Sequence, residues 1–180
     1  TIMLDHWLSK GSKEIQGKAK GMIVTQSRKH CVWYFKEINN QLKERGLTVR
    51  ALVGFSGEVS VDGDKYTESA LNRTIGHEGN IPLGLKNPKF SLLIVANKFQ
   101  TGFDEPLAQT MYVDKKLGGV QCVQTLSRLN RSTSGKTQTF VLDFVNDPEE
   151  IRSSFQRFYQ TTILDEASDP NNLYDVKREI

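Results

Sequence analysis

The residues best suited to chemistry lie in the segment VQCVQTLSRLNR (120–131). At about 100° per residue, Gln121, Gln124, Arg128 and Arg131 fall within about 80° of one another on a helix. Cys122, Val123, Leu126 and Leu129 take the opposite side. Such a polar edge serves as a solvated helix face or as a binding edge. The second use is chemically specific, because arginine carries a planar fork of donors that matches phosphate oxygens. Two forks a turn apart can hold a transferring phosphoryl group. A second candidate is the polar loop NKFQTGFDEP (97–106), which contains Thr101, Gly102 and Asp104; on its own, Asp104 reads as a helix cap. A third is QSRKH (26–30), where Ser27, Arg28 and Lys29 stand at the start of a helix. Hydroxyl and basic groups there make either a simple N-cap or a phosphate site.

These segments need elements to position them. GMIVT (21–25), TVRALVGF (48–55), FSLLIVA (90–96), TMYVD (110–114) and QTFVLDFV (138–145) read as strands, several of them apolar throughout, as buried parallel strands are. Between them, CVWYFKEINNQLKERG has Val32, Phe35, Ile38 and Leu42 at helical spacing and Gly46 as its stop, and 120–131 reads as one helix. Alternation of strand and helix predicts an α/β fold with three αβα layers and a mainly parallel sheet. Binding groups then collect beyond the carboxyl ends of the strands. QSRKH, NKFQTGFDEP and the loops around GKT are the segments expected there. Residues 56–88 read as an excursion with one short helix around YTESALNRTI. After Asp147-Pro148, a C-terminal helix carries Ile151, Phe155, Phe158 and Tyr159 on one face. The expected division is a linker or helix over 1–20, a lobe over 21–147 and a helical extension over 148–180. Thr1 and the tail YDVKREI read as the ends of an excised piece.

Composition narrows the classes. The 180 residues are 37% hydrophobic and 25% charged, as in a globular domain. A net charge of +3 permits contact with nucleic acid without the bias of a dedicated basic binder. Cys31 and Cys122 form no CxxC and no metal-ligand spacing, which suits a reducing cytoplasm. No apolar run is long enough to span a bilayer. SGKT (134–137) is not a P-loop ending, because Asn130 stands where the motif needs glycine; it reads as a turn with a basic tip. GEVSVDGD (57–64) lacks the order of a calcium loop, and His6, His30 and His77 make no catalytic set. No metal site is expected.

Taken in order, these segments resemble the second, RecA-like lobe of superfamily-2 nucleic-acid motors. QTLSRLNR is similar to motif VI, with Ser127 where glycine is common. LLIVANKFQTGFDEP resembles motif V, and GMIVTQSRKH is similar to motif IV. The order of KGMIVTQSRKHCVWY, VGFSGEV, YTESALN, LLIVANKFQTGFDEP and VQTLSRLNR further resembles the R subunit of type I restriction enzymes. The resemblance implies a P-loop NTPase-type C-terminal motor lobe. Gln124, Arg128 and Arg131 would be catalytic, the arginines as fingers. Gly102, Asp104, Arg128 and Arg131 would face the nucleotide, with Gly102 admitting a close backbone approach. Ser27, Arg28, Lys29 and Thr101 would meet the DNA backbone. ATP and Mg2+ would be held mainly by a first lobe that this chain does not contain, with none bound tightly here. The implied partners are that first lobe and a nuclease domain of the same parent, double-stranded DNA, and methyltransferase and specificity subunits, with no membrane. A lobe of another helicase or remodelling motor would share the motifs. A non-catalytic DNA-binding module would instead bond Arg128 and Arg131 within their own domain.

Overall fold

A computed structural model describes residues 2–99 and 104–167, with side chains through residue 160. Its frame is a five-stranded sheet in the order β2-β5-β1-β6-β7. The strands are β1 (Lys20–Thr25), β2 (Arg50–Gly54), β5 (Phe90–Val95), β6 (Ala108–Asp114) and β7 (Phe140–Asp143). Every pairing in it is parallel, for example Ile23 with Ile94 and with Tyr112. β1, β5 and most of β6 are buried on both faces, which is why they read as unbroken apolar runs.

The pleat sorts their side chains into two cores. Ile23, Leu92, Ile94 and Tyr112 share one with α1 (Ile2–Ser9), α3 (Arg28–Glu44) and α4 (Glu68–Thr74), through Leu4, Trp7, Val32, Phe35, Ile38, Leu42 and Leu71. Met22, Val24, Leu93, Val95, Met111 and Val113 share the other with α5 (Ile81–Leu85), α6 (Gly119–Leu126) and α7 (Pro148–Ala167), through Ile81, Leu85, Cys122, Ile151 and Phe155. This is the three-layer α/β arrangement the sequence predicts. The opening segment is folded onto the lobe: Leu4 and Trp7 are buried, and the short α2 (Glu14–Gly17) leads into β1. Gly11 and Gly21 leave the space Trp7 fills, since a Cβ on Gly11 would stand 2.5 Å from its ring.

Four expectations need correction. The excursion holds more than one helix: it opens with a hairpin, β3 (Glu58–Val61) against β4 (Asp64–Thr67), and continues through α4 and α5. Asp62 and Gly63 both take positive φ, 53° and 88°, the turn that matches strand twist. Second, the segment 120–131 is not one α-helix: α6 stops at Leu126, Ser127–Asn130 form a 3-10 turn, and Arg131 is extended with ψ 127°. Third, of the four residues expected on one face of α7, Ile151 and Phe155 pack on the lobe, while Phe158 and Tyr159 are exposed. Fourth, the GKT loop does not lie at the carboxyl ends of the strands. It precedes β7, and in a parallel sheet the residues entering a strand lie at the amino edge.

Candidate phosphate and nucleic-acid edges

The candidate residues divide between two edges of the sheet. At the carboxyl edge, the chain leaves β1 at Thr25, whose hydroxyl donates to the Ser27 and Val95 carbonyls at 3.1 Å. Ser27 is the N-cap of α3: its oxygen accepts from the His30 N–H and lies 2.8 Å from His30 Nδ1. The Arg28 guanidinium donates to the Ser56 and Glu58 carbonyls, both at 3.1 Å, so it braces the entry to the hairpin. Lys29 is exposed on the first turn of α3. After β5, Lys98 pairs with Glu68 at 2.8 Å, and the other role of Glu68 is to accept the Phe55 N–H. Lys115 donates to Asn97 at 2.5 Å. The loop after β5 thus starts from a fixed polar frame. Thr101 and Gly102 lie outside the described residues.

At the amino edge, Asp104 and the arginine segment meet. Arg131 Nε lies 3.1 Å from Asp104 Oδ1, with the two side chains 50% and 68% exposed. The 3-10 turn explains the approach. A straight helix would have continued along the lobe surface, whereas the break after Leu126 lets Leu129 plug the core and Arg131 extend back towards β6. Ser127 serves that break by donating its hydroxyl to the Gln124 carbonyl at 3.1 Å. That carbonyl stands where the α-helical ladder ends, so a serine suits the place where the resembling motif has glycine. Gln124 is exposed and Arg128 half-buried. The shared helix edge predicted for Gln121, Gln124, Arg128 and Arg131 therefore does not exist as drawn. Arg131 reaches Asp104 through extended backbone.

Sequence reasoning missed one residue. Lys136, read as the basic tip of a turn, points inward. Its Nζ donates to four carbonyls: Pro106 at 3.2 Å, Ala108 at 2.7 Å, Leu129 at 2.7 Å and Arg131 at 2.9 Å. Desolvation lowers its pKa, partly offset by the Glu105 carboxylate. The signal available was Gly135, whose φ of 80° makes the tight turn that points the next residue inward. For a nucleotide the amino edge fits in part. Its guanidinium donors suit phosphate oxygens, but the sequence offers no glycine-rich loop to cradle a triphosphate. Among the described residues no group of three or more His, Cys, Asp or Glu is arranged to hold a metal. No helix among them is long and apolar enough to cross a membrane.

A covered parallel sheet with an arginine turn docked at its amino edge is an α/β lobe of the kind that the motifs imply. Residues 60–146 match the family model described as type I restriction enzyme subunit R domain 3. In sequence the chain is similar to endonuclease subunits of type I restriction enzymes. It is 24% identical over 155 residues to the type I restriction enzyme HindI endonuclease subunit of Haemophilus influenzae, covering 80% of this chain and 14% of that one. It is 26% identical to a type I restriction enzyme endonuclease subunit of Staphylococcus aureus, covering 91% of this chain and 21% of the relative. The chain thus spans about a fifth or less of these relatives. Among solved structures it is similar to the Mycobacterium smegmatis helicase Lhr bound to ssDNA and AMP-PNP, at 12% identity and a TM-score of 0.49, covering 78% of this chain and 16% of that one.

Proposed function

We propose that this chain is the second motor lobe of an ATP-dependent duplex-DNA translocase of the type I restriction R-subunit kind. In this reading it works in the cytoplasm beside a first lobe and a nuclease domain of the same parent, with methyltransferase and specificity subunits completing the assembly. The observation that carries the reading is the meeting of Asp104 with Arg131 at one sheet edge, because it joins the two segments that resemble motifs V and VI. Arg128 and Arg131 present guanidinium donors to the phosphate chain of a nucleotide held mainly by the first lobe. Gln124 lies on the exposed side of the preceding helix, and Asp104 orients Arg131. Bound ATP with Mg2+ supplies the phosphoryl group whose transfer the arginines would favour by offsetting charge. Ser27 and Lys29 meet DNA phosphates at the opposite edge, and the resemblance assigns the same role to Thr101. Arg28 contributes there chiefly by holding the hairpin entry.

One observation favours a second reading, in which the arginines only brace the fold: Arg131 has a partner within its own lobe. The magnitude argues against it. An ion pair this exposed contributes roughly 0–1 kcal/mol, too little to account for a dedicated structural role. The deciding experiment replaces Arg128 or Arg131 by Ala in the full-length parent and pairs DNA-stimulated ATP hydrolysis with thermal melting. An arginine finger contributes about 10³–10⁵ in rate, so turnover should fall by that order with the melting temperature nearly unchanged. Lysine should rescue poorly, since it keeps the charge but loses the planar fork. Undiminished turnover in both variants would remove the finger assignment, and melting that collapses in step with activity would establish the bracing role.

A further inference from the structure

The proposed fingers sit on a segment with little regular structure. After Leu126 the chain leaves its α-helix, makes one 3-10 turn and runs extended through Arg131 to the turn at Ser134 and Gly135. A side chain that must meet a phosphate within a fraction of an ångström needs firmer support than an exposed ion pair gives. Leu129, buried to 1%, anchors the middle of the turn. Among the described residues no buried contact of this kind anchors the Arg131 side chain, which is half exposed.

Lys136 supplies that support. Its ammonium group lies between two strands of backbone that belong to the two motifs. On one side it donates to Pro106 and Ala108, the link between Asp104 and the first residue of β6. On the other it donates to Leu129 and to Arg131 itself. One ammonium with three protons is thereby shared among four carbonyls, all main-chain, so the contact fixes backbone rather than side chains. An arginine could not replace it, because a planar fork cannot converge on four acceptors from one atom. The carbonyl of Ala108 ties the arrangement to β6, the most rigid element at this edge, since most of β6 is buried on both faces.

We propose that Lys136 is a positioning residue for phosphoryl transfer, a staple that sets the distance and direction of Arg131 relative to Asp104 by clamping the backbone of both segments. The proposal rests on the finger assignment above. It goes beyond that assignment in giving a function to a loop that the nucleotide-facing residues do not include.

The test uses the full-length parent with Lys136→Met, Arg131→Ala and the double variant. Misplacing a reacting group by about 1 Å can cost about 10²-fold, so Lys136→Met should lower kcat of DNA-stimulated ATP hydrolysis by that order. KM for ATP should stay within about twofold, as expected where orientation rather than affinity is lost. Adding Lys136→Met to Arg131→Ala should cause no further loss, because both act through the same group. Lys136→Arg should not restore turnover. Hydrogen exchange, measured without nucleotide, should quicken in Lys136→Met at residues 129–137 and at Leu107 and Ala108, and stay unchanged in β1 and β5. Turnover within about threefold of wild type, a loss that multiplies with that of Arg131→Ala, or exchange that quickens across the whole lobe would each overturn the staple. Normal turnover in Arg131→Ala would overturn the finger assignment and the staple's catalytic role with it. The exchange arm tells the two failures apart, since a staple without fingers still shows the local quickening.

Discussion

Replacing Asn72 with alanine should destabilise the lobe more than any exposed substitution nearby, and the reason lies in the open edge of the sheet. Among the described residues β2 has β5 on one side and no strand on the other. Side chains stand in for the missing strand. Asn39 donates to the Ala51 carbonyl and accepts its N–H, both at 2.9 Å. Asn72 does the same for Val53, again at 2.9 Å twice, and Glu68 accepts the Phe55 N–H at 2.8 Å. Asn72 is 3% exposed and Val53 fully buried, so water cannot replace the lost amide. Asn72→Ala leaves one buried N–H and one buried C=O unpaired. At roughly 1–3 kcal/mol for each orphaned group, the loss is about 2–6 kcal/mol, a large share of the roughly 5–15 kcal/mol that holds a domain together. Asn72→Asp should be no milder, because it keeps the acceptor for the N–H but turns a carboxylate oxygen on the Val53 carbonyl. Urea unfolding of the 180-residue chain, followed by far-UV circular dichroism, measures this. Arg73→Ala, on a side chain 70% exposed, is the control, expected within about 0.5 kcal/mol. A loss below about 1 kcal/mol for Asn72→Ala at an unchanged m-value would refute the account, since it would mean that the edge groups find water or tolerate exposure.

Two further outcomes follow from particular groups. Burial pushes the Cys31 thiol up from an ordinary 9.0 to about 11, with a hydrogen bond to Thr25 and the charge of Lys115 opposing. The folded state therefore holds the proton longer than the unfolded state, so this contribution is complete below about pH 9 and is lost as pH rises through about 11, by about 2–3 kcal/mol. Wild type minus Cys31→Ala, compared by urea unfolding across that range, isolates the term from the tyrosines; parallel curves would contradict it. On DNA, Lys29→Ala should reduce the salt slope of duplex binding by about 1 without changing melting, as loss of one phosphate contact does. Arg28→Ala should instead lower the melting temperature through the hairpin entry, and anisotropy titrations at several salt concentrations beside melting curves would show if the two roles are reversed.

The sheet was legible because β1, β5 and β6 are buried on both faces and so announce themselves as continuous apolar runs. The hairpin was not, although Asp62-Gly63 between Val59, Val61 and Tyr66 carries a hairpin's alternation. Its strands are four residues each, and their outer positions are charged or polar, which masks the period. The break in the arginine helix is illegible for a different reason. Residues 120–131 keep helical periodicity right through Leu129, which does face the core. Beyond Leu126 the backbone is held by contacts from segments outside the window, the Lys136 donations to the Leu129 and Arg131 carbonyls and the pairing of Arg131 with Asp104. Periodicity therefore found the right residues and the wrong backbone. The roles of Asn39 and Asn72 were likewise beyond reach, since an asparagine inside a helix reads as a weak helix former until the strand beside it is known.

The separation of the two edges bears on how such a lobe would work. β1 has six residues, so at about 3.3 Å per residue the edge that carries Ser27 and Lys29 lies about 20 Å from the edge that carries Asp104 and Arg131. That exceeds the Debye length of about 8 Å at physiological ionic strength. Charge arriving at the arginine edge therefore exerts little direct force on a phosphate at the other. In the proposed motor, communication between the edges would then be mechanical, and the central strands suit it. β1 is buried along its whole length and paired on both sides, so it moves with the sheet as a unit and offers no soft point between the edges. At the two ends of the sheet, Lys136 holds the extended backbone at Arg131 to β6, and Lys98, just after β5, pairs with Glu68 of α4. In the proposed motor, movement of this lobe against its partner would then be a rigid displacement of the whole sheet. Lys136 would decide how faithfully the nucleotide-facing groups follow it.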